Sequence, residues 1–206
     1  MKKCSILATV VTAVILVAVP ALADYRIGMG AYRVKDYKWA MKEFKADQKN
    51  PNSLYNLGIM YYKGEGVKAD HNQGIEWIRK AAEKGHVQAQ FLLGTFYDSG
   101  KDLAQDRATA AQWYRKAAKK GHTQAQFNLG LMYVNGEGVE KDHGNAVVWL
   151  KKAARGGHQD AGRLLKTMGE DVPAQALPKK GKAAEGANAP AAGTPSALPP
   201  GHPPMQ

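Results

Sequence analysis

Three histidines recur at an interval of 36 residues, and their chemistry is the first question that the sequence raises. His86 stands in KGHVQAQ, His122 in KGHTQAQ and His158 in GGHQDAG, each directly after a glycine. Imidazole nitrogens ligate metals and act as general bases, so this ladder could be a metal site or a catalytic device. It could also be the visible part of a structural repeat.

Distance decides against a shared metal ion. Ring nitrogens must lie about 2.0–2.1 Å from such an ion. Equivalent positions in neighbouring helical repeats are at least one helix layer apart, about 8–10 Å. We therefore predict no metal and no cofactor. The three histidines follow a helix-ending glycine and precede the next helix, which favours a structural role in the turn.

Other candidate chemistry is weak. His71 and His143 each follow an aspartate, but the middle repeat has Arg107 at that position, which favours a polar surface role. The sequence contains no HExxH, GxSxG or Walker-type motif, and its two Gly-Glu-Gly segments are weak evidence for a phosphate loop. Asp98 and Asp102 lie close together without the pattern of a calcium loop. We predict no catalytic residue and no enzymatic activity.

The histidines belong to a longer pattern that repeats with the same period. In the middle unit, Ala89, Leu93 and Tyr97 have the spacing of one helix face. Asp106 is a suitable N-cap for a second helix. Other recurring positions of this unit are Gly94, Gly100, Trp113, Ala117, Ala118 and Gly121. A period of this length predicts an array of stacked helix pairs, in which Trp113 and the alanine pair supply the buried face of the second helix.

The pattern resembles the Sel-1-like repeat family, which is related to tetratricopeptide repeats. The family motif L-G-x-x-Y-x-x-G-x-G-V…D…A…W…K-A-A…G is present nearly letter for letter in 56–86 and 128–158. In the middle unit, Asp102 replaces the second loop glycine and Leu103 replaces the valine. The resemblance implies an all-α fold, an α/α solenoid of helix pairs.

The same resemblance implies a non-enzymatic protein-binding role. Such proteins act as envelope adaptors or regulators, and as immunity proteins that bind secreted effectors such as phospholipases. The alternative is a cell-envelope hydrolase of the penicillin-binding or β-lactamase type, which is linked to cysteine-rich relatives. Those relatives brace each repeat with a disulfide, and the corresponding cysteines are missing here.

The chain is predicted to contain four segments. Residues 1–23 form a signal peptide, and 24–54 a degenerate tetratricopeptide-like helix pair. The array spans 55–169, with units at about 55–90, 91–126 and 127–162 followed by a capping helix. Residues 170–206 hold eight of the ten prolines and are predicted to be a disordered tail.

The first segment predicts export. It has a basic start, a short apolar run and the sequence Ala-Leu-Ala ending at Ala23, so cleavage is expected before Asp24. The single cysteine, Cys4, would leave with it. The processed protein is expected to be periplasmic and not an integral membrane protein.

Charge and surface pattern indicate the kind of partner. Loss of Lys2 and Lys3 would lower the formal net charge from +11 to +9, with the whole surplus in 24–169. Export argues against nucleic acid as a partner. A basic domain suits another protein, either an envelope component or a secreted effector, and it also suits an anionic surface.

Six positions on the first helices turn away from the core face: Asn56, Ile59, Leu92, Thr95, Asn128 and Leu131. They are predicted to bind the partner, and the alternative is ordinary packing between repeats.

Overall fold

The computed structural model describes residues 25–173, and this part of the chain is helical without strands. The helices are α1 (Tyr25–Arg33), α2 (Tyr37–Ala46), α3 (Pro51–Lys63), α4 (His71–Glu83), α5 (Val87–Ser99), α6 (Arg107–Lys119), α7 (Thr123–Asn135), α8 (His143–Arg155) and α9 (Gln159–Thr167). Each helix packs against the next, and α3 with α4, α5 with α6 and α7 with α8 form the closest pairs. The predicted α/α solenoid is confirmed.

Capping residues fix where the helices of each pair begin and end. The second helices α4, α6 and α8 start after Asp70, Asp106 and Asp142, whose carboxylates accept a hydrogen bond from the N–H three residues later. The first helices α3, α5 and α7 end at glycines in the left-handed region, including Gly100 at φ 68°. The roles predicted for Asp106 and Gly100 are confirmed.

A glycine on each first helix faces a large side chain on its partner. A Cβ placed on Gly94 would lie 2.7 Å from the Tyr114 ring, and one on Gly58 would lie 2.5 Å from Ile78. The glycine therefore permits the close approach of the two helices. Tyr114, with 1% of its surface exposed, fills the centre of this pair. Trp113 was predicted to be buried, but its side chain is only half-buried.

The first pair, α1 and α2, occupies the position of the predicted N-terminal unit and packs onto the array. Phe44 of α2 lies against Gly28 and shares a core cluster with Leu57 and Met60 of α3. The helix α3 begins at Pro51, ahead of the predicted start of the array at 55, with Asn50 as its N-cap and the proline in its first turn.

At the other end, α9 packs against α8 and the chain continues in contact with the array. The Glu170 carboxylate accepts a hydrogen bond from Lys151 Nζ at 3.0 Å, and Val172 packs on the last core cluster. The sequence predicts both residues to be part of the disordered tail, whereas here they lie against the last repeat. The predicted signal segment and the tail beyond 173 lie outside the described residues. No helix within 25–173 has the length and apolar character needed to cross a membrane.

Candidate protein-binding surface

Each histidine of the ladder caps the helix that follows it. Nδ1 of His86, His122 and His158 accepts a hydrogen bond from the backbone N–H three residues later, at 3.0, 3.1 and 3.3 Å. Their rings stack on the aromatic residues Tyr55, Phe91 and Phe127, with centroids 4.4, 4.4 and 4.1 Å apart. The predicted structural role is confirmed and becomes specific: the histidines are N-caps of α5, α7 and α9.

The other ring nitrogen joins the N-terminal ends of successive first helices, α5 with α7 and α7 with α9. Because Nδ1 accepts a hydrogen bond, Nε2 carries the proton and donates it. His122 Nε2 lies 3.0 Å from Gln88 Oε1, and His158 Nε2 lies 3.1 Å from Gln124 Oε1. Burial lowers the pKa of His86 and His122 to about 4, which keeps both rings neutral. Both nitrogens of His122 and His158 are thus engaged in holding the array.

The glutamines of the Gln-Ala-Gln segment were not interpreted from the sequence. Gln90 and Gln126 are buried, and each donates its side-chain N–H to a backbone carbonyl near the end of the preceding second helix, at 2.9 and 3.0 Å. Each of these carbonyls, of Ala82 and Ala118, also accepts a hydrogen bond from the N–H of the glycine that follows the helix, at 2.9 and 3.0 Å, so the glutamine adds a second donor at the helix end. The recurrence of this glutamine at the same position in two successive repeats is the sequence feature that indicates a structural role.

Asp102, the residue that breaks the loop motif, links the first two repeats. It accepts a hydrogen bond from the Tyr62 hydroxyl at 2.8 Å and lies 3.2 Å from Nδ1 of His71, whose ring stacks on Tyr62. Gly66 and Gly138 at the equivalent position have left-handed φ values, whereas Asp102 does not. The middle loop therefore has a different backbone, which a non-glycine residue can adopt.

The same kind of tie recurs along the array. Arg107 lies 3.7 Å from Glu137 of the next loop, and His143 lies 3.2 Å from Glu170. The first residue of each second helix therefore faces an acidic residue supplied by the following unit. His71 and His143 are therefore polar surface residues, as predicted, and each of them contacts an acidic residue of the following unit.

The six predicted partner-binding residues are not equally available. Ile59 and Leu92 have 6% and 4% of their surface exposed and belong to one core cluster, so their assignment to an open surface is wrong. A first helix packs on both its own second helix and the adjacent repeat, which buries more than one of its faces. Four of the six are half-buried, and their binding role stays a prediction: Asn56, Thr95, Asn128 and Leu131.

The second helices present a more open and more basic surface. Lys116 Nζ lies 3.7 Å from the centre of the Trp113 ring, and Lys152 Nζ lies 4.3 Å from that of Trp149. Lys80 covers Trp77 in the same way at 4.2 Å. Each lysine covers an apolar ring and keeps its charge in water.

Between residues 25 and 173, no three His, Cys, Asp or Glu side chains are placed to hold a metal ion.

A stack of helix pairs joined by caps and contacts between repeats defines the α/α solenoid class, whose members present extended surfaces. Residues 51–86, 87–122 and 123–158 each match the Sel1 repeat. The chain belongs to the Sel1 repeat family.

Similar proteins come from bacteria and plants. A Sel1 repeat protein of Oxalobacter formigenes has 36% identity and a TM-score of 0.68, over 69% of this chain and 43% of that chain. A protective antigen of uropathogenic Escherichia coli with an SLR fold has 36% identity and a TM-score of 0.57, over 62% of this chain and 28% of that chain. The ERAD-associated E3 ubiquitin-protein ligase component HRD3A of Arabidopsis thaliana is 32% identical over 59 residues, which are 28% of this chain and 9% of the plant protein. The chain thus spans less than half the length of each of these relatives.

Proposed function

We propose that this chain is a non-enzymatic protein-binding module that acts in the periplasm after removal of its first 23 residues. There it binds a partner protein and regulates or inhibits it. The partner is a secreted effector such as a phospholipase, which makes the chain an immunity protein, or it is an envelope component, which makes the chain an adaptor.

The main support for this proposal is that the polar side chains that recur in every repeat cap helices. Nδ1 of each ladder histidine and the carboxylates that begin α4, α6 and α8 all accept hydrogen bonds from helix N-termini. Groups engaged in this way support a scaffold and are not free to act as bases or ligands. The surfaces of the scaffold are then its means of recognition, as in other solenoids. Membership of the Sel1 family and the name of the plant relative, a component of a larger ligase, support the same conclusion.

Affinity capture tests the proposal. Residues 24–206 carrying a C-terminal tag are incubated with an envelope extract of the source organism, and the eluate is analysed by mass spectrometry. We expect one protein in stoichiometric amount. Recovery of no partner in repeated captures would contradict a binding role, and residue-dependent hydrolysis of a chromogenic β-lactam would contradict its non-enzymatic character.

Localisation needs a separate measurement. The protein recovered from a periplasmic fraction should have an N-terminus at Asp24, as determined by intact mass. A cytoplasmic chain that keeps Met1 would contradict export and leave the binding role to be judged by the capture alone.

A further inference from the structure

Positive charge is distributed unevenly over the solenoid. Helices α6 and α8 carry four and three basic residues and no acidic residue, whereas α5 carries a single charge, that of Asp98, and α7 none. In α4, by contrast, Glu76 and Glu83 accompany Arg79 and Lys80. The excess charge of the array is thus concentrated on the second helices of its last two repeats.

Four of these basic side chains, together with Lys120 directly after α6, lie at one edge of the molecule, where α6 and α8 end. They are Lys116, Lys119, Lys120, Lys152 and Arg155, all of them exposed, and we call them the basic edge. The hydrogen bond between His158 and Gln124 joins the segments that directly follow these two helices, at 3.1 Å. The two helix ends are therefore held one repeat apart on the same side.

The basic edge lacks internal neutralisation. Within residues 25–173, Lys119 and Arg155 form no ion pair. Lys116 and Lys152 are placed over tryptophan rings, and Lys120 Nζ donates a hydrogen bond to the Gly85 carbonyl at 2.7 Å. None of these contacts removes the positive charge from the surface.

Helix stability alone does not require this arrangement. Basic residues in a last turn interact favourably with the helix dipole. However, the first repeat has Glu83 where the next two have Lys119 and Arg155, and Glu76 where they have Gln112 and Val148. The scaffold thus accepts an acidic residue at these positions. The last two repeats differ from the first in a way that packing does not explain.

We propose that the basic edge binds an acidic segment of the partner protein, one rich in Asp and Glu; this rests on the proposed function. The edge spans two helix ends, and at the first repeat Glu83 interrupts the positive charge between the exposed Lys80 and Lys84. This footprint suits a short carboxylate-rich segment. A membrane surface would extend across Glu76 and Glu83 as well. Membrane binding also gains from inserted aromatic side chains. Here Trp149 is only 8% exposed, beneath Lys152.

The test uses a fluorescein-labelled peptide of ten glutamates and residues 24–206, with binding measured by anisotropy at an ionic strength of about 0.1 M, where the Debye length is about 10 Å. The double variant K119E/R155E gives the last two repeats the residue that the first repeat already has. We expect it to bind the peptide at least about tenfold more weakly than the unchanged protein, since two attractive contacts become repulsive. Conversely, Glu83→Lys extends the basic edge to the first repeat and should strengthen binding.

The matched control is K38E/K42E, which makes the same change in net charge on the exposed face of α2. Its affinity should stay within about twofold of the unchanged protein at an ionic strength where distant charges are screened. Equal loss in both double variants would show that net charge alone attracts the peptide and would overturn the proposal. Thermal unfolding checks that each variant is folded, and K119Q/R155Q replaces the first variant if it is not.

Two further measurements, vesicle binding and affinity capture, distinguish this inference from binding to a lipid surface and from failure of the proposed function. Binding of phosphatidylglycerol vesicles that depends on the basic edge, without binding of the peptide, would overturn it in favour of a lipid surface. In the affinity capture, K119E/R155E should lose the partner that the unchanged protein recovers. Undiminished capture by that variant would overturn the inference while the proposed function stands. If neither protein captures a partner, the proposed function fails, and with it the assignment of the basic edge to a partner protein.

Discussion

Histidine is an uncommon choice for a helix cap, because its ring accepts a hydrogen bond only when the accepting nitrogen is unprotonated. Asp, Asn, Ser and Thr accept at neutral pH without this condition. In return, the ring of His122 covers the Phe91 side chain and reaches Gln88 in the first turn of α5. One side chain therefore caps a helix, adds apolar contact and joins two repeats, and it does so only in its neutral form.

This requirement predicts a loss of stability in mild acid. The pKa of His86 and His122 in the folded state is about 4, below the usual 6.5, so the unfolded chain binds more protons between these values. Their contribution is complete above pH 6.5 and falls as the pH decreases toward 4, by about 1 kcal/mol per pH unit for each histidine. Urea unfolding between pH 7 and 5 measures this slope.

The control for this prediction is His122→Asn, which keeps a capping oxygen that does not titrate. Its slope of unfolding free energy against pH should be smaller by about 1 kcal/mol per pH unit. An unchanged slope would show that protonation of His122 does not oppose folding.

Asp102 carries the second prediction at this scale. Asp102→Ala removes the acceptor of the Tyr62 hydroxyl and the neighbour of His71, and should lower the free energy of unfolding by about 1–2 kcal/mol. Asp102→Asn keeps an acceptor oxygen of the same shape and should cost less. Equal losses in the two variants, measured by urea unfolding, would indicate that the carboxylate charge stabilises this junction and not the hydrogen bond.

At the scale of the element, each helix pair depends on a small residue facing a large one. Gly94→Ala places a methyl group about where the Tyr114 ring lies, and we expect a loss of about 1–3 kcal/mol in the free energy of unfolding. Gly30→Ala in α1 is the control, since a Cβ there meets no atom within 4 Å. Its expected effect is a gain of up to about 1 kcal/mol from the better helix propensity of alanine. Thermal unfolding of the two variants should shift in opposite directions.

The sequence predicted these helix pairs because the signals that define them are local. Asp106 and Gly100 mark helix ends through their own backbone geometry, and Leu93 with Tyr97 marks a face through spacing alone. Contacts between repeats are not local, which is why Ile59 and Leu92 were assigned to solvent. A helical wheel shows which side of a helix is apolar, but not how many neighbours the helix has. The repeat pattern also does not indicate the central role of Tyr114, because Trp113 recurs in every unit whereas the residue after it varies.

At the scale of the whole molecule, a solenoid needs its ends covered, since each repeat buries the apolar surface of the next. Here α1 and α2 cover one end through Phe44, which packs with Leu57 and Met60 of the first repeat. At the other end, α9 covers α8 through Leu165, and Val172 lies against the same cluster. Within residues 25–173 the two ends of the array therefore differ: a complete helix pair covers the first repeat, and a single helix with a short extension covers the last.

This difference leads to a prediction about the N-terminal pair. Removal of residues 24–50 exposes Leu57 and Met60, both fully buried in the complete chain, and the shortened protein should self-associate in size-exclusion chromatography. If covering apolar surface is the main role of the pair, Leu57→Lys with Met60→Lys should return the shortened protein to a monomer. In the complete chain the same two substitutions bury charge and should destabilise it by about 3 kcal/mol or more. A shortened protein that is monomeric without the substitutions would show that the first repeat does not need this cover, and the array would then begin at α3.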